Sequence, residues 1–231
     1  MKVILPTYKR IGWIVRAYAH LHKKYWGVPV VLLAEDDYSD GQFEFVQPPN
    51  DEYLVWDKGE IPCDRFTDVL IWYLEQIQDQ HVLIMLADYL VTRPVNVALL
   101  AQLEEYMQGR NILRGQVGDD KGLDRGQMTD TYKNIEIWEG NFLPTSLTPA
   151  LWNRELFLEM INPADTPWGV EIKGRDKFPW NGCRSIAPKP GILSYVNAFR
   201  GRDMSHIVLT KAIYEEVGQY IKTPVREREL L

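Results

Sequence analysis

Polar side chains follow three apolar runs of the chain, at the points where the runs end. In chain order they are Thr7, Tyr8 and Arg10 in "ILPTYKR", Asp36, Asp37 and Asp40 in "VVLLAEDDYSDG", and Asp88 in "VLIMLADY". An aspartate at such a point either caps a turn by accepting hydrogen bonds from its own backbone, or holds a ligand at the carboxyl end of a strand. The first use suits Asp40 in "YSDG" best, whereas carboxylate oxygens such as those of Asp88 also bind divalent cations.

The apolar runs that precede these residues predict strands of a parallel sheet. They are continuous rather than alternating, which is typical of strands that helices cover on both faces. A helix with Ile14, Val15, Tyr18 and Leu21 on one face separates the first two runs. Since parallel strands end at the same edge of a sheet, Asp36, Asp37, Asp40 and Asp88 are expected to line one cleft.

The remaining segments complete an α/β prediction. A third strand is expected at residues 52–56, a helix at 63–78 and a long glycine-rich loop at 115–131. "SLTPALWNRELFLEM" predicts a helix with Ser146 or Thr148 as N-cap and Pro149 in its first turn. The predicted division is a nucleotide-binding half (1–115), an acceptor and catalytic half (116–205), and a C-terminal helix and tail (206–231) of one domain.

Composition narrows the class of protein. The 231 residues carry a formal net charge of -6, which argues against a protein that coats nucleic acid without specificity. Seven basic residues and one acid, Asp176, lie between Ile172 and Arg202, so that segment is either a solvated surface or a phosphate-binding one. Two cysteines without metal-ligand spacing, no signal-peptide core and no apolar stretch of transmembrane length predict a cytoplasmic protein, in a bacterium or a phage-infected host.

Four blocks of the sequence together resemble a known family. The succession of "ILPTYKR", "VVLLAEDDYSDG", "VLIMLADYLVTRPV" and "SLTPALWNRELFLEMINPADTPWGVE" resembles nucleotide-sugar-dependent glycosyltransferases of the GT-A fold, in particular a bacterial and phage group similar to glycosyltransferase family 2. The last block is the most specific, with Trp168 after a proline and Glu171 three residues later. The resemblance implies a GT-A-like (Rossmann-like) α/β fold: a mostly parallel central sheet flanked by helices, with an irregular C-terminal third over the active edge.

The resemblance also implies roles for the strand-end residues in donor binding. Pro6, Thr7, Tyr8 and Arg10 would contact the nucleotide of a UDP-sugar or related donor, and Asp36 or Asp37 would accept a hydrogen bond from its base or ribose. Asp88 takes the place of the last carboxylate in the family's metal motif, but Ala87 stands where a second acid is common. A divalent cation, Mn²⁺ or Mg²⁺, is therefore expected with Asp88 as ligand and help from His206 or from the diphosphate itself.

The predicted reaction is transfer of a sugar to an acceptor hydroxyl. Such a transfer needs a base that removes the hydroxyl proton, and Glu171 is the candidate. The departing diphosphate needs positive charge, which a metal at Asp88 or the basic residues Arg175, Lys177, Arg200 and Arg202 could supply. Trp168 and Trp180 are candidates for stacking against the acceptor, although a packing role is equally compatible with their type.

Several alternatives stay open on the sequence alone. The acceptor is either a surface glycan or a hydroxymethylated base in phage DNA. Because Ala87 replaces a motif acid, a nucleotide-sugar binding module without catalysis is a second hypothesis. A nucleotidyltransferase is a third, but the glycine-rich basic loop expected after the first strand is missing. P-loop, nucleophile-elbow and dinucleotide-binding motifs do not occur in the sequence.

Overall fold

The structure is a computed structural model of the chain. It describes residues 1–7, 11–49, 66–118, 126–140, 144–200, 206–207 and 209–221, and for residues 140, 180, 199–200 and 206–207 it describes the backbone alone. The predicted strand at 52–56 lies outside the described residues, as do Tyr8, Arg10 and Arg202.

Strands and helices alternate over the first half of the chain and strands dominate the second. The strands are β1 (Lys2–Pro6), β2 (Val30–Leu33), β3 (Glu44–Val46), β4 (His81–Ile84), β5 (Tyr89–Val91), β6 (Ile112–Gln116), β7 (Gly126–Tyr132), β8 (Ile135–Gly140), β9 (Ala150–Asn153), β10 (Arg184–Lys189), β11 (Tyr195–Asn197), β12 (Phe199–Arg200) and β13 (His206–Ile207). The helices are α1 (Ile14–Tyr25), α2 (Phe66–Leu74), α3 (Val97–Met107), α4 (Arg154–Met160), α5 (Pro167–Lys177) and α6 (Lys211–Val217). Among the described residues, no helix combines the length and apolar character needed to cross a membrane.

Nine of the described strands form one central sheet in the order β3-β2-β1-β4-β9-β6-β10-β8-β7. Strands β3, β2, β1 and β4 are parallel to one another, and β6 and β10 run in the same direction. Strand β9 lies antiparallel between β4 and β6. The α/β fold with a large central sheet that the resemblance to GT-A enzymes implied is confirmed, but the sheet is mixed rather than mostly parallel, with four parallel and four antiparallel pairs of neighbouring strands.

The core explains why the apolar runs are continuous. Every residue of β2 and β4 is buried, because helices cover both faces of these strands. Helix α1 buries the predicted face of Ile14, Val15, Tyr18 and Leu21, each at most 1% exposed. The elements that carry the polar strand ends therefore belong to the buried core of the chain.

The prediction of one helix from Ser146 to Met160 is wrong. Residues 150–153 form β9, and α4 begins only at Arg154 with Asn153 as its N-cap. The Asn153 side-chain oxygen accepts from the backbone amides of Glu155 and Leu156 at 3.1 and 3.2 Å. Pairing with a strand on each side buries Leu151 and Trp152 completely, and this tertiary gain overrides the local Ser/Thr-Pro signal.

The predicted loop at 115–131 is wrong at both ends, since β6 extends to Gln116 and β7 begins at Gly126. In the C-terminal third, β10 joins the central sheet, whereas β11 lies outside it. Strand β11 pairs with β5, directly after Asp88, and the Ala198 amide donates to the Asp88 carbonyl oxygen at 2.8 Å.

Candidate active site

The three polar strand ends meet at one edge of the sheet, as predicted. Strand β1 lies between β2 and β4, with Pro6 opposite Leu33 and Ile4 opposite Ile84. The ends of all three strands therefore point the same way. Since neighbouring strands lie about 4.8 Å apart, the end of β2 is roughly 10 Å from the end of β4.

A pocket of about 350 Å³ lies at the β2 end of this edge. Its lining residues are Gly12, Trp13, Arg16, Asp36, Asp37, Tyr38, Gln219 and Tyr220. It combines three aromatic rings with two carboxylates and a guanidinium, and its volume is at the lower end of the range for ligand pockets. Sequence reasoning found the two aspartates but missed the adjacent Tyr38 and the lining residues of two distant segments, 12–16 and 219–220.

The two adjacent aspartates of the pocket have different roles. The Asp37 carboxylate accepts from the Ser39 amide, the Ser39 hydroxyl and the Gly41 amide at 2.6–2.9 Å. Burial alone would raise the pKa of Asp37, but these hydrogen bonds outweigh it and lower the pKa. Asp37 is therefore the residue that builds the turn.

Asp36 keeps capacity for a ligand. It is exposed, and its Oδ1 accepts only from the Asp37 amide at 2.8 Å, which leaves Oδ2 without a partner among the described residues. Asp40, which has a positive φ of 54°, pairs with Arg16 at 2.8 Å on the surface of the same loop. The turn role predicted for Asp40 agrees with this geometry, and the ligand role predicted for Asp36 or Asp37 narrows to Asp36.

Pro6 and Thr7 occupy the middle of the edge, between the pocket and Asp88. The Thr7 amide donates to the Leu33 carbonyl oxygen at 3.0 Å, which ties the end of β1 to β2. The Thr7 side chain is 2% exposed, and its Oγ1 has no hydrogen-bond partner in the described part of the chain. A buried hydroxyl without a partner is costly, so this oxygen is suited to a ligand group.

Asp88 lies in the turn between β4 and β5. Its side chain is half-buried, and burial raises its pKa from the ordinary 3.8 to about 6. The preceding residue, Ala87, is fully buried and adds no charge. A carboxylate in this environment is stabilised by any cation that approaches it, because no described side chain neutralises it.

A metal site with several protein ligands is not formed by the described side chains, which include no group of three His, Cys, Asp or Glu able to hold an ion. His206 lies in β13, paired in register with Arg200 of β12, and only its backbone is described. Mg²⁺ is commonly bound by one or two carboxylates together with substrate phosphates. Asp88 fits that arrangement as the single protein carboxylate of a metal–diphosphate pair.

Glu171 reaches the same edge through a loop. Its Oε1 accepts from the Ser146 hydroxyl at 3.0 Å and the Leu147 amide at 2.8 Å, and its carbonyl oxygen accepts from the Thr145 hydroxyl at 2.8 Å. This loop enters β9, whose first residue, Ala150, is opposite Ile84 at the carboxyl end of β4. One oxygen of Glu171 is thus anchored, and Oε2 has no partner among the described residues.

A buried arginine that sequence reasoning missed holds the other side of the loop. Arg114 of β6 is 1% exposed and donates to the Ser146 carbonyl oxygen at 3.0 Å and the Thr148 hydroxyl at 2.6 Å. Its guanidinium also lies 5.6 Å from the Trp152 ring centre. The only sequence signal is a charge inside the apolar run "ILRGQV", which the prediction of a loop beginning at 115 obscured.

Most of the basic residues after Ile172 are already engaged within the protein. Lys173 pairs with the buried Asp165, Lys177 donates to the Met160 carbonyl oxygen and to Asn162, Arg184 pairs with Glu139, and Lys189 lies 3.6 Å from the ring centre of Trp138. Arg175 is exposed and lies 3.7 Å from Asp176 on its own helix. Arg200 is described in its backbone only.

The predicted acceptor-binding tryptophans differ in what the structure describes. Trp168 is 37% exposed in the first turn of α5, which Thr166 caps by accepting from the Gly169 amide at 2.9 Å. Ile172, one turn further along, is 55% exposed, so the two form an apolar strip on the outer face of α5. For Trp180 the structure describes the backbone alone.

Comparison with solved structures reports on the fold. The chain is similar to a mycobacterial protein with a TM-score of 0.50 and 13% sequence identity, over 96% of this chain and 75% of that one. It is also similar to residues 1–349 of S. aureus TarS, with a TM-score of 0.49, 12% identity and coverage of 84% and 60%. A third is glucosyl-3-phosphoglycerate synthase from Mycobacterium tuberculosis in complex with Mn²⁺ and UDP-glucose, with a TM-score of 0.49, 12% identity and coverage of 96% and 79%.

The first of these likenesses agrees with the α/β fold, and at 13% identity it reports on the fold alone. The chain spans less than two thirds of the TarS fragment. No protein-family model matches the sequence, and no curated protein matches it.

Proposed function

We propose that this chain is a glycosyltransferase that moves a sugar from a nucleotide-sugar donor, a UDP-sugar first among them, to an acceptor hydroxyl. The observation that carries the proposal is the edge formed by β2, β1 and β4. A pocket with aromatic rings and the open carboxylate of Asp36 lies at one end of it, and the half-buried Asp88 lies roughly 10 Å away at the other. A nucleoside diphosphate carries a flat base at one end, which suits the rings of the pocket. At its other end it carries a concentrated negative charge, which a divalent cation would join to Asp88.

Donor binding follows from this layout. The base stacks among the rings of the pocket, and Asp36 Oδ2 accepts a hydrogen bond from the base or the ribose. Thr7, at the middle strand, offers its unpartnered hydroxyl to the ribose or the α-phosphate. A divalent cation, Mn²⁺ or Mg²⁺, held by Asp88 and the diphosphate would supply positive charge to the leaving group.

Glu171 is the proposed base. The bonds from Ser146 and Leu147 to Oε1 fix the orientation of the carboxylate and leave Oε2 to take the acceptor proton. The acceptor oxygen then bonds to the anomeric carbon, while the bond from that carbon to the diphosphate oxygen breaks and the nucleoside diphosphate leaves with the electron pair. Trp168, exposed on the same helix one turn from Glu171, is suited to bind the acceptor sugar.

A glycan acceptor is favoured over modified DNA. Four of the basic residues that could have formed a phosphate-binding surface, Lys173, Lys177, Arg184 and Lys189, instead contact groups of the protein itself. The net charge of -6 also opposes binding to duplex DNA. Salt-sensitive retention on hydroxymethylated duplex DNA, with no retention on oligosaccharides, would reverse this choice.

The first experiment is a thermal-shift panel of UDP, CDP, GDP and ADP and their sugars, each with Mn²⁺, Mg²⁺ or a chelator. A ligand that binds only the folded chain raises its melting temperature. Stabilisation by one nucleotide that increases with metal supports the donor site and the role of Asp88. The absence of a shift with every nucleotide would overturn the proposal.

A binding module without catalysis is the second candidate, and the buried Ala87 beside Asp88 favours it. Release of nucleoside diphosphate from the stabilising nucleotide sugar separates the two. Turnover in the presence of a glycan acceptor excludes the inactive module, and binding with no release in any donor and acceptor pair supports it. Formation of a nucleotide sugar from a nucleoside triphosphate and a sugar phosphate would instead indicate a nucleotidyltransferase.

A further inference from the structure

The far wall of the pocket comes from the C-terminal end of the described chain. Gln219 and Tyr220 belong to a 3₁₀ turn (Gly218–Tyr220) that follows α6, and both line the pocket opposite Asp36. They are about 180 residues from Asp36 in the sequence, so no local pattern places them there. Gln219 is exposed and Tyr220 is half-buried.

Polar contacts hold this wall to α1. The Glu216 carboxylate accepts from Lys24 at 2.7 Å and lies 3.3 Å from Nε2 of His20. The His20 ring lies in turn 5.7 Å from the ring centre of Tyr220. Burial would raise the pKa of Glu216, but the contacts with Lys24 and His20 outweigh burial and lower it, so the carboxylate is charged at neutral pH.

Apolar burial fixes the same segment. Ile213 and Val217, one turn apart on the inner face of α6, are 6% and 0% exposed, and Leu209 just before the helix is fully buried. The Thr210 side chain caps α6 by accepting from the Ile213 amide at 3.3 Å. Tyr220 is therefore presented to the pocket by an anchored element.

We propose that Tyr220 and Gln219 are specificity-determining residues that bind the nucleobase of the donor. This inference rests on the proposed donor site and adds a wall that the strand-end residues do not supply. Tyr220 provides a flat ring for stacking, which every base accepts, and Gln219 provides both a donor and an acceptor for the edge of the base. Stacking thus sets affinity, and the carboxamide of Gln219 sets the preference among bases.

The test is calorimetric titration of UDP, CDP, GDP and ADP, each with Mg²⁺, into the wild-type protein and matched variants. Tyr220→Ala is expected to weaken UDP binding about tenfold, and Tyr220→Phe, which keeps the ring, by less than about twofold. Tyr132→Ala is the control, because Tyr132 lies on β7 at the opposite edge of the sheet from the pocket. Gln219→Ala is expected to change the ratio of UDP to CDP affinity about threefold or more.

The outcomes separate this inference from the function beneath it. If the wild-type protein binds neither UDP, CDP, GDP nor ADP, the donor site itself is wrong. If it binds one of them and both Tyr220→Ala and Gln219→Ala bind with wild-type affinity and base preference, the donor site stands and this inference is overturned. Should Tyr220→Ala fold poorly by circular dichroism, the exposed Gln219 decides, since its replacement leaves the buried face of α6 intact.

Discussion

The polar strand ends of the sheet and the basic helix α5 use polar side chains in opposite ways. At the ends of β1 and β2, the fold leaves one oxygen each of Thr7 and Asp36 without a partner in the described chain, and at the end of β4 the Asp88 carboxylate accepts a hydrogen bond from its own backbone. Around α5, which is far richer in charge, Lys173 and Lys177 are bonded to groups of the protein. The strand ends therefore keep hydrogen-bonding capacity that the lysines of α5 have already used within the protein.

Charge density and unused hydrogen-bonding capacity do not coincide along this chain. The segment from Ile172 to Arg202 is the most basic in the sequence, yet its described lysines stabilise the packing of α5 and β10. The acidic strand ends have fewer charges but more unused hydrogen-bonding capacity. Glu171 lies between the two cases, with one oxygen bonded and the other open.

Glu171 gives the sharpest test of this contrast. Glu171→Gln keeps an oxygen that accepts from Ser146 and Leu147 but removes the base, so kcat for transfer is expected to fall about 10³-fold with little change in melting temperature. Glu171→Ala is expected to lose activity and also stability, because two donors lose their acceptor. Glucosyl or other sugar transfer is measured as nucleoside diphosphate release. Near-normal kcat in Glu171→Gln would reduce Glu171 to a residue that only positions the loop.

Asp88→Asn tests the polar residue that follows β4. Removal of the negative charge is expected to lower transfer about 10²-fold, because the cation at the diphosphate loses its protein carboxylate. The measurement is initial rate against Mn²⁺ concentration, with Asp176→Asn on the exposed face of α5 as the charge-matched control. Equal rates in the two variants would show that Asp88 takes no part in the reaction.

The pH dependence of stability tests whether Asp88 is as uncompensated as the structure indicates. Between pH 3.8 and about 6 the folded chain holds a proton on Asp88 that the unfolded chain has released, so its contribution to stability falls as pH rises through that window. Above pH 6, Asp88→Asn without ligands is expected to be more stable than wild type by roughly 1–3 kcal/mol, and the difference should shrink toward pH 4. Denaturant unfolding at pH 4–8 measures it, and a difference that does not vary with pH would contradict the prediction.

Lys173→Met tests the ion pair between α5 and the buried Asp165. Asp165 is 2% exposed and has Lys173 and Asn162 as side-chain partners, so loss of the ammonium is expected to cost roughly 1–2 kcal/mol of unfolding free energy. Nucleotide affinity should not change. Lys211→Met, which removes an exposed lysine from α6, serves as the control for loss of charge alone. A Lys173→Met protein with wild-type stability and weaker nucleotide binding would reverse the contrast between the strand ends and α5.

Arg175→Ala is expected to have the smallest effect. Arg175 is exposed and its described partner is the adjacent Asp176, so removal should change stability by less than about 0.5 kcal/mol and the Kd for UDP by less than about twofold. Titration at 50 and 200 mM salt provides the measurement. A tenfold loss of affinity that salt reduces would restore Arg175 to the diphosphate clamp predicted from the sequence.

Much of the fold followed from local patterns. The continuous apolar runs identified β1, β2 and β4, and the spacing in α1 identified its buried face. Strand β9 could not be predicted in the same way, because "ALWN" becomes a strand only when β4 and β6 are present on either side of it. Arg114 was missed for a related reason, since its acceptors, Ser146 and Thr148, are more than 30 residues away.

The sequence by itself determined which polar residues follow the apolar strands, and the continuous apolar runs predicted a parallel arrangement in which Asp36 and Asp88 share an edge. Only the tertiary structure decided which of those residues keep capacity for a ligand. The Asp37 carboxylate is occupied by hydrogen bonds within its own turn, and one of the two Glu171 oxygens is bonded to the loop before β9. Tyr220 lines the pocket although it lies near the other end of the chain. Hydrogen-bonding capacity is shared among residues that meet in space, so its balance at a site cannot be computed from neighbours in sequence.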